Sequence, residues 1–153
     1  MKLILTLVAL SFATSAFAHE TNEQEDQIRY RQAGYHFMSW NMKKIKIQLD
    51  NPAKFDKTVV ANAANAIAGI ANSGMGALFG PGTDKGKGFK STQVKAEFFK
   101  QPEEVKKVAM AFNAAANDLA KIAAGGDPAA IKPAFGKLGE ACKGCHDKFR
   151  EKD

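Results

Sequence analysis

Cysteine is scarce in this 153-residue chain: there are two, Cys142 and Cys145, three positions apart near the end. A disulfide framework needs more pairs than that, so disulfides do not build this fold. Histidine is almost as rare, with only His19, His36 and His146, so a zinc site would lack ligands of the usual spacing. No stretch alternates apolar and polar residues as a half-buried strand does, which argues against a sheet. The one long apolar run, Leu3 to Phe12, is interrupted by Thr6 and Ser11, and crossing a bilayer takes about 18 consecutive apolar residues. Charge is not one-sided: 22 Lys+Arg against 16 Asp+Glu give a formal net charge of +6. That is mildly basic, and no recognition motif or interleaved aromatics accompany it, so a nucleic-acid partner is not expected. Neither phosphate-cradle spacing, G-x-G-x-x-G nor G-x-x-x-x-G-K-[ST], occurs among the glycines.

What is present begins with an export signal. Lys2 supplies the charged start, Leu3 to Phe12 the apolar centre, and Ala16-Phe17-Ala18 an A-x-A cleavage site. Residues 1–18 read as a cleaved secretory signal peptide, and residues 19–153 as one domain with no membrane span after cleavage. Removing Lys2 leaves 21 basic against 16 acidic residues.

Four helical segments follow, divided by Pro and Gly. The first opens at a capping box, Thr21 with Gln24, and carries Ile28, Arg31, Tyr35, Met38, Met42, Ile45 and Leu49 along one seam as far as Asn51-Pro52. The second runs from Asp56 to Asn72, with Val59, Ala63, Ala66, Ile67 and Ile70 on one side. The third opens at Pro102 with Glu103 and Glu104, bears Val105, Val108, Phe112, Ala115, Leu119 and Ile122, and closes at Gly125-Gly126. The fourth starts near Asp127-Pro128, with Ile131, Phe135, Leu138, Cys142, Cys145 and Phe149 as its stripe; Pro133 is expected to kink or delay its first turn. The pattern predicts an all-α chain, an antiparallel up-down-up-down four-helix bundle. Residues 73–92 form a long glycine-rich connection, and 94–100 an extra helical turn. A connection of that length is usually functional or disordered.

The chemistry sits in Cys142-Lys143-Gly144-Cys145-His146. Haem attachment needs two thiols for the two vinyl groups and an imidazole beneath the iron. One helical turn supplies all three, because i, i+3 and i+4 share a face. The motif therefore predicts one covalently bound haem c with His146 on the iron. A thioredoxin-like pair needs a βα unit, and a structural disulfide leaves His146 without a purpose.

Only seven residues follow His146, so any sixth iron ligand has to come from an upstream helix. Arg31 stands on an apolar seam, where either a buried anion such as a haem propionate answers it or the side chain reaches out to solvent. His36 is turned about 100° from Tyr35 and off the seam, while Met38 lies on the seam as core filler.

Tyr30-Arg31-Gln32, the loop Phe79-Gly80-Pro81-Gly82-Thr83 and the terminal run from Cys142 to Arg150 together resemble the cytochrome c' family of class II c-type cytochromes. The resemblance extends over essentially the whole mature chain. It implies a four-helix bundle, commonly a homodimer, whose iron is held by one histidine and open on the other side to nitric oxide and carbon monoxide. Carried onto this sequence, Cys142 and Cys145 match the thioether positions, His146 the proximal ligand and Arg150 the basic residue beside it. Arg31 and Gln32 match propionate contacts, Tyr35 the residue over the distal face, and Phe79 is either a pocket wall or ordinary packing. Six-coordinate relatives take a methionine from the position of Tyr35, so the departure here favours an open site. The expectation is a periplasmic gas-binding haem protein that can change between ferric and ferrous states. The rival is an electron carrier meeting a periplasmic redox partner, with a sixth ligand from the first helix. An enzyme is not expected, since no distal His or acid/base pair can be placed over the iron.

Overall fold

The computed structural model describes residues 23–152, so the expected signal peptide and Thr21 lie outside the described residues. Helix α1 spans Glu23–Asp50, α2 Lys57–Ala71, the short α3 Glu97–Lys100, α4 Pro102–Gly125 and α5 Pro128–Phe149. Among the described residues the only β pairing is two isolated antiparallel bridges, Lys87 with Ser91 and Val94 with Arg150.

Local chemistry sets the helix ends. Glu23, Glu25 and Asp26 occupy the first turn of α1, where carboxylates suit the positive end of the dipole. Asp56 caps α2 by accepting from the Thr58 and Val59 amides at 2.8 and 3.3 Å. Pro102 opens α4, and Gly126 ends it in the left-handed conformation, φ 73°. Asp127 then caps α5 by accepting from the Ala129 amide at 2.9 Å. The turn from α4 to α5 is thus only Gly126 and Asp127, which forces the two helices antiparallel. Pro133 does not delay the first turn: α5 begins five residues before it, at Pro128, and runs through it, because the cap and Pro128 already fix the start.

The long helices pack α1 on α2, α2 on α4 and α4 on α5, with α1 and α5 closing the bundle more loosely. Their shared core takes Met38 and Ile45 from α1, Ile67 from α2, Leu119 from α4, and Ile131 and Leu138 from α5, with Val60 and several alanines between. Each such large aliphatic side chain stabilises the fold by about 1.5–3 kcal/mol. The expected face of α2 is shifted by one residue: Val60, Ala63, Ala64, Ile67 and Ala68 are buried, while Val59 and Ala66 are half-buried. On α1 the seam also takes in Asn41, whose amide donates back to the Phe37 carbonyl at 2.9 Å and so satisfies itself within the helix.

The connection from α2 to α4 is ordered by α1 rather than by its own sequence. Gln24 donates to the Pro81 carbonyl at 3.2 Å, and Gln27 accepts from the Gly80 amide at 3.0 Å. Gln32 accepts from the Phe89 amide at 2.8 Å and donates to the Lys90 carbonyl at 2.9 Å. Gly88 lies against the α1 backbone, where a Cβ would come within 2.6 Å of Arg29 N and Cα, so only glycine permits this approach.

Candidate functional site

The site lies where the inner faces of α1 and α5 approach each other. On α5, Cys142 and Cys145 are half-buried and not joined to each other, and His146 follows on the same turn, more open to solvent. Burial pushes both thiols up, and the neighbouring Cys145 pushes Cys142 further. That is opposite to the depressed thiol of a redox-active Cys-x-x-Cys pair. Desolvation and then repulsion from Arg150 lower the His146 imidazole, against a weaker pull from Asp147. A neutral imidazole is the form that ligates a metal. Among the described residues no three His, Cys, Asp or Glu side chains converge on a metal, so the donors do not form a zinc site.

Across from the thiols stands Tyr35 of α1. Burial first, and the nearby thiols second, push its phenol up to about 12, while Arg31 pulls it down. The residue as a whole is 41 % exposed, less enclosed than its seam position suggested, so the phenol is desolvated inside a cleft rather than a sealed core. At neutral pH it is a neutral phenol.

Tyr35 begins an aromatic wall. Its ring meets Phe79 edge-on at 6.4 Å, and Phe79 stacks on Phe98 at 4.6 Å. Phe98 in turn meets Phe149 at 5.6 Å, near the end of the helix that carries the motif. Phe79 is thereby brought to the site, and Phe98, which the sequence did not single out, completes the wall from α3. The signal available was an aromatic pair, Phe98-Phe99, in a segment too short to bury it alone.

Arg31 is 3 % exposed and does not reach solvent. Its Nη1 donates to the Leu78 carbonyl at 3.1 Å and to Thr83 Oγ1 at 2.7 Å. Its Nη2 donates to Thr92 Oγ1 at 2.6 Å and to the Thr83 carbonyl. The guanidinium carbon sits 4.8 Å from the centre of the Phe79 ring. The groups that answer this charge are neutral loop oxygens, a π face and the nearby Asp84 carboxylate. Gln32 likewise faces the loop main chain. Arg150 closes α5: its Nε donates to Gln93 Oε1 at 3.0 Å and its amide to the His146 carbonyl. His36 is exposed, and Met38, one turn along α1 from Tyr35, is buried in the core cluster.

Two open clefts, about 310 and 420 Å³, run between α4 and α5 past Ala111, Ala115 and Lys137. The thiols face the other way, towards α1.

Two free thiols that burial keeps protonated and an imidazole that burial keeps neutral, on one turn opposite Tyr35, fit haem and not a redox thiol pair or zinc. Fold and site together define a helical-bundle c-type cytochrome. The family model for Cytochrome C' matches residues 26–150. Cytochrome c' of Allochromatium vinosum is 54 % identical over 146 residues, 95 % of this chain and 93 % of the relative. That of Rhodocyclus tenuis is 52 % identical over 134 residues, 88 % of this chain and all of the relative. A solved cytochrome c' with ligand-controlled dimer dissociation shares 56 % identity at a TM-score of 0.80, over 84 % of this chain and 97 % of its own. The chain belongs to the cytochrome c' family, and its cofactor is haem c, attached through Cys142 and Cys145. More distant structures, at 26 % identity and a TM-score of 0.74, are variants of the Alcaligenes xylosoxidans cytochrome c' with nitric oxide or carbon monoxide bound.

Proposed function

We propose that this chain is an exported, periplasmic haem protein that takes up nitric oxide and carbon monoxide at an iron ligated by His146 and open on the side of α1. The observation that carries the reading is Tyr35: the α1 side chain opposite the thiols is a phenol that burial holds neutral, and a neutral phenol is a poor iron ligand. Bound there, haem supplies an open coordination position and a ferric/ferrous couple. The chain's own residues do the rest. His146 holds the iron from α5, Tyr35 and Phe79 screen the open side by size, and Arg31, Gln32 and Arg150 set the charge and hydrogen bonding around the propionates and the proximal imidazole. The ligand complexes of the Alcaligenes relative support the class of gas, and the apolar run before Ala18 supports export.

The same reading makes the protein a homodimer through the outer face of α1. Phe37 and Trp40, 48 % and 52 % exposed, stack at 5.5 Å, and Lys44 lies 4.5 Å over the Trp40 ring. Tyr30, seven residues before Phe37, and Ile47, seven after Trp40, extend this exposed stripe at the heptad spacing of a helix-pairing seam. An absorption spectrum of the ferrous protein, with and without carbon monoxide, tests the central claim. A high-spin spectrum that converts on adding the gas is expected; a low-spin spectrum indifferent to it means that a sixth protein ligand fills the site.

A further inference from the structure

The segment after Thr83 contains a small hairpin that the haem site does not use. Lys87 pairs with Ser91, the Thr92 amide donates to the Gly86 carbonyl at 3.0 Å, and the Gly88 amide donates to the Lys90 carbonyl at 3.0 Å. At its tip Phe89 is 72 % exposed, with no ring partner among the described residues, and Lys85, Lys87 and Lys90 around it are exposed as well. An apolar ring left in water is stabilised when something covers it. The tip is also held firmly. Gln32 satisfies the Phe89 amide and the Lys90 carbonyl, and Gly88 rests on the α1 backbone.

We propose that this hairpin docks on an anionic lipid surface, with Phe89 entering the headgroup layer and Lys85, Lys87 and Lys90 lying against lipid phosphates. Charge favours lipid over a protein partner, since lysines flanking an exposed aromatic match the charge and the polarity gradient of an anionic bilayer surface. Gln32 already pairs the Phe89 amide and the Lys90 carbonyl, and the main-chain groups of the tip without a partner in the fold keep their water in the hydrated headgroup layer. The nearby acids do not cancel this charge: Asp26 is engaged by Arg29 at 2.8 Å, and Asp84 is half-buried beside Arg31.

The test is co-sedimentation of the haem-loaded protein with vesicles of phosphatidylglycerol and phosphatidylcholine in equal parts, read by haem absorbance in the pellet. Binding at low salt is expected, falling as salt rises and absent on phosphatidylcholine alone. Changing Lys85, Lys87 and Lys90 together to Glu lowers the partition by about tenfold or more. Changing Lys121, Lys132 and Lys137 to Glu, the same charge change on α4 and α5, leaves most of it. Phe89→Ala weakens binding severalfold with the charge intact. Equal losses in the two triple variants, indifference to Phe89→Ala, or no binding to the anionic vesicles each overturn the proposal. So does a wild type that ignores vesicles while Lys85, Lys87 and Lys90 govern the salt dependence of its reduction by an acidic redox protein; the hairpin is then a protein-docking site.

Discussion

Arg31 and Thr83 are 52 residues apart in sequence and joined twice, through Nη1 to the Thr83 hydroxyl at 2.7 Å and through Nη2 to the Thr83 carbonyl. The hydroxyl in turn donates a hydrogen bond to the Gly80 carbonyl at 2.9 Å, so one buried threonine links the guanidinium to the turn that precedes it. Thr83→Val keeps the shape and the main-chain carbonyl and removes the two bonds of the hydroxyl. It is expected to cost about 1–3 kcal/mol, seen as a lower urea midpoint with an unchanged slope. Arg31→Leu removes all four guanidinium bonds at once, strands the Leu78 carbonyl and costs more, about 3 kcal/mol or above. In the haem-loaded protein Arg31→Leu also shifts the reduction potential if the guanidinium acts on the propionates; an unchanged potential leaves Arg31 as a loop clamp alone.

Attachment through the two thiols has a direct chemical check. With Cys142 and Cys145 both changed to Ala, acid-acetone extracts the haem from the polypeptide, whereas the parent protein retains it. Extraction of haem from the parent would falsify the thioether assignment.

Tyr35 screens the open side of the iron by bulk. Tyr35→Ala is expected to raise carbon monoxide affinity, while Tyr35→Phe, which keeps the ring, leaves it close to the parent value. Because burial holds the phenol up at about 12, both variants keep the high-spin resting spectrum of the parent at neutral pH. A tyrosinate charge-transfer band in the parent that Tyr35→Phe abolishes means that the phenol is an iron ligand instead.

The outer stripe of α1 predicts the assembly. Trp40→Glu puts a charge into the centre of the Phe37–Trp40 stack and is expected to shift the protein from dimer to monomer in sedimentation, with haem content unchanged. A dimer that survives both Trp40→Glu and Phe37→Glu places the interface elsewhere.

The helices were legible because their ends are written in residues with a single local meaning: Asp56, Pro102, Gly126 and Asp127 each stop or start a helix by a hydrogen bond or a φ angle. The motif was legible for the same reason, since three reactive side chains on one turn admit few uses. The face of α2 was misread by a residue because Val59 and Val60 are adjacent and small alanines lie all round the helix, so neighbours rather than periodicity decide what is buried. The partners of Arg31 could not be read at all. A cation on an apolar seam announces that something polar meets it, yet loop carbonyls leave no mark on the sequence that supplies them. Phe98 escaped notice because its importance depends on three rings distant in the chain, Phe79, Phe149 and, through Phe79, Tyr35.

Gln24, Gln27 and Gln32 grip the long connection by its amides and carbonyls and hardly by its side chains. Main-chain atoms are the same whatever residue carries them. The path of the connection is therefore insulated from most changes in its composition, apart from positions such as Thr83, Gly88 and Thr92 that are held individually. With Gly88 kept, the rest of the hairpin tip can be rewritten by mutation, or replaced by a grafted peptide of equal length, while the haem cleft behind it keeps its shape.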